Sequence, residues 1–174
     1  MRIAKVRAKN ILTRSKIGSG GYAINPYVGC PHGCIYCYAE FMRGVTGHEE
    51  AWDEFLDVKD FDAASLVKFA GLHGGERVFM SSVTDCYNPY EARFGATRKV
   101  LEAVAGSDIN LQILTKSSLV TRDIDLLQTM PNVRAGVSLS VIDENLRRTL
   151  EPRASSVAAR IAAIKKLRAA GVKT

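Results

Sequence analysis

The chain has 174 residues, 47% apolar and 24% charged, enough for one domain with a substantial core. No run approaches the roughly 18 apolar residues of a membrane helix, and the first residues carry scattered charges where a secretory signal needs an apolar stretch, so the expected compartment is the cytoplasm. The formal charge is +6, and Arg2, Lys5, Arg7, Lys9, Arg14 and Lys16, with no acid among residues 1–20, hold all of the excess. This basic N-terminal arm reads either as a grip on DNA or RNA phosphates through counterion release or as a solvated leader. Residues 18–21 form a Gly/Ser hinge, and Tyr22 to Val28 a short strand running into a cysteine loop. A helix is expected from Tyr38 to Arg43. Residues 44–62 carry Glu49, Glu50, Asp53, Glu54, Asp57, Asp60 and Asp62 against Lys59 alone and read as an acidic surface excursion. A short helix follows over Ala63 to Ala70.

Gly74-Gly75-Glu76 reads as a turn ahead of a buried strand, Arg77 to Ser82. Thr97 to Ala105 is helical, with Val100, Leu101 and Val104 on one face and Gly106 as its stop. Leu111 to Thr115 is a strand, Arg122 to Met130 a helix ended by Pro131, and Val133 to Ser140 another strand. Ser155 or Ser156 caps a last helix to about Ala170, with Val157, Ile161, Ile164 and Leu167 as its apolar stripe and Arg160, Lys165, Lys166 and Arg168 on a solvated face. Gly171 to Thr174 begins a fifth strand. Strands and helices in alternation predict an α/β fold with parallel strands and right-handed crossovers, barrel-like or doubly wound. The pattern stops midway, so a C-terminal part of the fold is expected to be missing from this chain.

Three of the four cysteines crowd into eight residues, Cys30-Pro-His-Gly-Cys34-Ile-Tyr-Cys37. That spacing suits metal ligation better than disulfides and fits a reducing compartment. Thiolates favour iron–sulfur clusters or zinc, and three ligands leave one coordination position open, as a catalytic centre requires. The alternatives are a zinc-stabilised nucleic-acid-binding module, its site completed by His32 or Cys86, and an iron–sulfur electron carrier with Cys86 as fourth ligand. His32 and His73 read as surface residues.

The C-x3-C-x2-C spacing after a first strand, with Tyr36 before the last cysteine, resembles the radical S-adenosylmethionine (radical SAM) signature. The wider segments Tyr27 to Ala39, Val83 to Glu91, Leu114 to Ser117 and Leu150 to Arg153 resemble its spore-photoproduct-lyase-like branch, usually called DNA repair photolyase-like. The resemblance implies a partial (β/α) barrel over residues 21–174 and a [4Fe–4S] cluster on Cys30, Cys34 and Cys37. It also implies SAM on the fourth iron, an external electron donor, and radical chemistry of lyase type on a substrate that includes nucleic acid. The chemistry of such barrels sits at the strand C-termini. There Lys116 suits the SAM carboxylate, Thr84 and Asp85 its amino end, Ser138 or Ser140 the sugar or carboxylate, and Tyr36 the adenine. Glu91, Glu151 and Arg153 read equally as pocket lining or as structural ion pairs. The repair lyases of the branch carry a hydrogen-donating cysteine three residues before the aspartate. Ser82 stands there here, which leaves Cys86 as the candidate donor or implies a different radical reaction.

Overall fold

The computed structural model describes residues 1–15 and 21–174, so the hinge expected at 18–21 lies, but for Gly21, outside the described residues. The strands fall into two sheets. One is β1 (Arg2–Arg7), β5 (Phe55–Asp60) and β4 (Tyr27–Val28), with β1 parallel and β4 antiparallel to the central β5. The other runs β2 (Leu12–Arg14), β3 (Tyr22–Ile24), β6 (Arg77–Met80), β7 (Asn110–Thr115) and β8 (Arg134–Val137). In it β3, β6, β7 and β8 are parallel and β2 is antiparallel to β3. Lys173 bridges Arg134 in parallel, where the fifth strand is expected to begin. The fold is therefore mixed α/β, with no closed barrel among the described residues.

The first sheet corrects two expectations. Residues 2–7 of the basic arm are a strand rather than a solvated leader, and the acidic segment contains its partner β5, whose Phe55, Leu56, Asp57 and Val58 are buried. The physical reason is that the acidic segment carries Phe55, Leu56 and Val58, which are buried, and its backbone pairs with β1; at one end Arg2 Nη1 lies 3.1 Å from Glu50 Oε1, and Arg2 Nη2 3.9 Å from Asp57 Oδ1. Asp57 Oδ2 also lies 3.2 Å from Nε2 of His48, whose ring stacks on Phe55 at 3.7 Å. Because Arg2 is half exposed, its pairs contribute about 1 kcal/mol or less. Arg2→Glu is thus expected to leave global stability nearly unchanged while speeding tryptic cleavage at Lys5 and Arg7 several-fold; unchanged cleavage would mean that backbone pairing alone docks β1.

The single strand expected over Tyr22 to Val28 is two, with β3 and β4 assigned to different sheets on either side of Asn25 and Pro26. A 3-10 turn over Tyr38–Phe41 leads into α1 (Met42–Thr46), and α2 (Ala64–Leu72) follows β5. Gly75, at φ +80°, makes the turn before β6. After it come α3 (Glu91–Phe94) and α4 (Ala96–Val104), whose Val100, Leu101 and Val104 are fully buried, each contributing about 1.5–3 kcal/mol. The helix expected at Arg122 to Met130 shrinks to α5 (Ile124–Leu127), preceded by a 3-10 turn over Ser118–Asp123. Arg122 and Asp123 are drawn into a buried network with Glu91, Arg98 and Tyr87. An unanticipated α6 (Glu144–Leu150) is capped by Asp143, and α7 (Val157–Ala169) by Ser156, which accepts from the Ala159 amide at 3.2 Å.

The buried face of α7 is Val157, Arg160, Ala163 and Leu167; Ile161 is 40% exposed. Arg160 is thus not on a solvated face, because Glu151 supplies a buried carboxylate for it. The main core lies between the parallel strands (Ile24, Met80, Ile113, Ala135) and helices α2, α4 and α7. Among the described residues no helix is long and apolar enough to cross a membrane.

Candidate active site

The cysteine loop leaves β4 through Gly29, at φ +86°, where a Cβ would lie 2.3 Å from the Phe55 carbonyl oxygen. Only glycine fits such a conformation and approach. The loop is then held from three directions. The Cys30 amide donates to Trp52 O at 3.1 Å, and the Ile35 amide to Leu150 O at 3.0 Å. Thr84 Oγ1 donates to Gly29 O at 2.6 Å. The Arg153 guanidinium grips the Pro31 carbonyl and the Asp53 carboxylate. It passes so close to Gly33, at φ +64°, that a Cβ there would sit 2.5 Å from its Nη2. Leu150 to Arg153 therefore shapes the loop, and Arg153 acts as a structural clamp.

A cavity of about 180 Å³ opens beside the loop, lined by Cys30, Cys34 and Cys37 together with Tyr36, Tyr38, Ser82, Thr84, Asp85, Lys116 and Ser138. Strand register explains the convergence: Met80 pairs with Ile113 and Thr115 with Val137, so the chain following β6, β7 and β8 meets at one rim. Burial pushes the Cys30 thiol up to about 12, with the Asp85 charge adding to it. Burial raises Cys34 to about 11, against the pull of Lys116. Such thiols give up their protons when a cationic centre binds them.

Asp85 is buried and fully engaged. Its Oδ1 accepts from Thr115 Oγ1 at 2.6 Å and from the Tyr87 amide at 2.9 Å. Its Oδ2 accepts from the Lys116 amide at 2.8 Å and lies 3.2 Å from His32 Nε2. Burial would raise its pKa, but His32 and the hydrogen bonds outweigh that and hold it at about 2. Asp85 thus ties the cysteine loop to the end of β7. The Lys116 ammonium stands 5.6 Å from the Tyr36 ring centroid. Burial works against its charge, yet Cys34, Tyr36, Glu151 and Asp85 raise its pKa above the ordinary lysine value. The Tyr36 hydroxyl donates to Glu151, and Ser140, exposed beyond the cavity lining, borders that hydroxyl.

Of the expected residues, Cys30, Cys34, Cys37, Tyr36, Thr84, Asp85, Lys116 and Ser138 come together in this one cavity. Cys86 does not: it has no exposure and sits in the main apolar core, away from the position expected of a hydrogen donor. Glu91 is likewise fully buried, accepting from Tyr27, Arg122 and the Thr97 amide, a structural role. His32 overturns the surface reading, being 2% exposed with Nδ1 3.2 Å from Arg153 O and Nε2 turned to Asp85. Of the two residues that would complete a zinc site, Cys86 is withdrawn into the core, whereas His32 lines the cavity beside the cysteines with its Nε2 facing Asp85. Sequence reasoning also missed Tyr38, whose hydroxyl donates to Ser82 O. It missed Ser81 as well, a non-glycine residue at φ +64° on the floor of the cavity. Strain at a strand end beside a cavity is a recurrent mark of functional sites, and sequence carries no sign of it.

The sequence model of the Radical SAM superfamily matches residues 24–174. An uncharacterized protein of Methanocaldococcus jannaschii is 36% identical over 171 residues, covering 98% of this chain and 64% of that protein. One of Mycobacterium tuberculosis strain H37Rv is 35% identical over 166 residues, covering 87% of this chain and 46% of that protein. Spore photoproduct lyase complexed with dinucleoside spore photoproduct superposes with a TM-score of 0.75 at 21% identity, over 98% of this chain and 49% of the lyase. A lyase mutant with bound AdoMet and dinucleoside spore photoproduct gives 0.73 at 22% identity, over 98% of this chain and 48% of that one. The chain thus spans about half to two thirds of the length of these relatives, and shares the fold of the lyase. A cysteine triplet opening onto a cavity at the ends of parallel strands, matched by the family model over most of its length, makes this chain a member of the radical SAM superfamily.

Proposed function

We propose that this chain forms the SAM-cleaving part of a radical SAM enzyme, a partial (β/α) barrel in which Cys30, Cys34 and Cys37 hold a [4Fe–4S] cluster. The observation that carries the reading is that one cavity brings those three cysteines, and no fourth, together with Lys116, Thr84, Ser138 and Tyr36. Three cysteines line the cavity while Cys86 is sealed in the core, which supports a cluster held by three thiolates. When bound, the cluster, reduced by an external donor, supplies an electron to the sulfonium of SAM, releasing methionine and a 5′-deoxyadenosyl radical.

The protein binds, orients and shields. Lys116 offers the cation for the SAM carboxylate, and Asp85 fixes the backbone from which it projects. Thr84, whose hydroxyl donates to Gly29 O, would offer its oxygen lone pairs to the amino end. Tyr36 would flank the adenine, and Ser138 or Ser140 would reach the sugar or carboxylate. Anaerobic reconstitution is expected to give a brown protein with about four irons that converts SAM and dithionite to 5′-deoxyadenosine. Stoichiometric zinc in a colourless protein would overturn the reading. A reducing compartment such as the cytoplasm suits both the cluster and four free cysteines.

For substrate we propose nucleic acid, on the likeness to a lyase solved with a dinucleoside photoproduct. The Ser82 substitution and the burial of Cys86 argue for hydrogen transfer that differs from a cysteine-donor repair reaction. Lys5, Arg7 and Lys9 are exposed on and after β1, with no ion pair among the described residues, and are the candidates to touch phosphates. Truncating the arm would strip β1 from β5, so charge removal is the cleaner test. Changing Lys5, Arg7 and Lys9 to Gln is expected to lower the slope of log K against log salt on duplex DNA by about 0.9 per lost phosphate contact, leaving SAM cleavage intact. An unchanged slope would remove the arm from the nucleic-acid reading.

A further inference from the structure

Glu151 and Arg160 are both without solvent exposure and form an ion pair. Burying two charges costs several kcal/mol of desolvation, and apolar residues of similar size hold a helix to a sheet as well. The contacts of this pair lead elsewhere. One carboxylate oxygen of Glu151 accepts from Arg160 and the other from the hydroxyl of Tyr36, whose ring is 47% exposed at the cavity. Arg160 Nη1 donates to the carbonyl of Ser138 at 3.1 Å, and its Nε to that of Ser155 at 2.8 Å. The Ser155 amide in turn donates to the Lys116 carbonyl at 3.1 Å. Tyr36, Ser138 and Lys116 come from three separate segments of the chain, and one planar guanidinium with its carboxylate sets their mutual positions.

We infer that the buried Glu151–Arg160 pair is a positioning device for the SAM cavity, holding its aromatic wall, its hydroxyl and its cation in register; this rests on the cofactor reading above. Neither residue lines the cavity. Their effect on binding passes through Tyr36, Ser138 and Lys116, and small displacements of such groups cost much of their binding energy.

The test measures the SAM dissociation constant of cluster-loaded, full-length protein by anaerobic equilibrium dialysis, with iron content and thermal melting alongside. Y36F deletes one hydroxyl at the rim and E151Q one buried charge; each is expected to weaken SAM binding about tenfold at wild-type iron content. The double variant Y36F/E151Q is expected to bind about tenfold, not about a hundredfold, more weakly than wild type, because both changes break one linkage. Since E151Q leaves the Arg160 charge unpaired, E151L/R160M, which removes both charges, is expected to fold and still bind SAM about tenfold more weakly. Wild-type affinity in Y36F and E151L/R160M, or effects that multiply in the double variant, would show a merely structural pair and overturn the inference. Wild-type protein that loads its cluster yet fails to bind SAM overturns the cofactor reading itself, and is recognised because no substitution is involved.

Discussion

Replacing Cys30, Cys34 or Cys37 singly by alanine is expected to abolish iron incorporation, whereas Cys86→Ala retains wild-type iron content. The three loop thiols line one cavity, and burial holds Cys30 and Cys34 in the thiol form until a metal centre compensates the charge. With two thiolates left, the open position becomes two, and a cluster that needs three protein anchors is lost. Cys86 has no exposure and packs in the apolar core, so its removal creates a small void and costs about 1 kcal/mol of stability. Iron and sulfide analysis after anaerobic reconstitution reads the result directly. Loss of iron in Cys86→Ala would make that residue a fourth ligand and the protein an electron carrier.

Asp85→Ala is expected to remove about 3–5 kcal/mol of stability, the cost of breaking one side of a buried charged network. For a chain of this size that is a melting temperature lower by roughly 10 °C. The substitution strands His32, the Thr115 hydroxyl and the amides of Tyr87 and Lys116, all of which now end on one carboxylate. It also cuts the link between the cysteine loop and β7, so iron incorporation is expected to fall with stability. Asp85→Asn keeps the shape but offers an NH2 where an acceptor is required, and is expected to lie between alanine and wild type. An alanine variant that melts like wild type and loads a full cluster would show that the loop is held without Asp85, by Arg153, Thr84 and the backbone contacts alone.

The strands and helices flanking the site were legible because their signals are local. Apolar periodicity marks β6, β7 and α4, and Gly106, Pro131 and the serine ahead of α7 punctuate them. The acidic segment misled for a complementary reason: a charge run shows neither that Phe55 to Val58 within it are buried nor that the backbone of β1 will pair with it. The same holds for Arg160, whose helical position predicts a solvated face. Only Glu151, brought next to it in space, makes its burial tolerable.

By itself the sequence determined the cysteine triplet, the alternation of strands and helices, and the residues expected at the strand ends. Spacing along the chain is enough to state each of these. The tertiary structure decided which of the candidates share a cavity, because that depends on strand register and on contacts between segments remote in sequence. It gathered Thr84, Lys116 and Ser138 around the cysteines, withdrew Cys86 into the core, and bound His32 to Asp85. A buried polar side chain takes its role from the partner that makes its burial affordable, and that partner is fixed only when the chain folds.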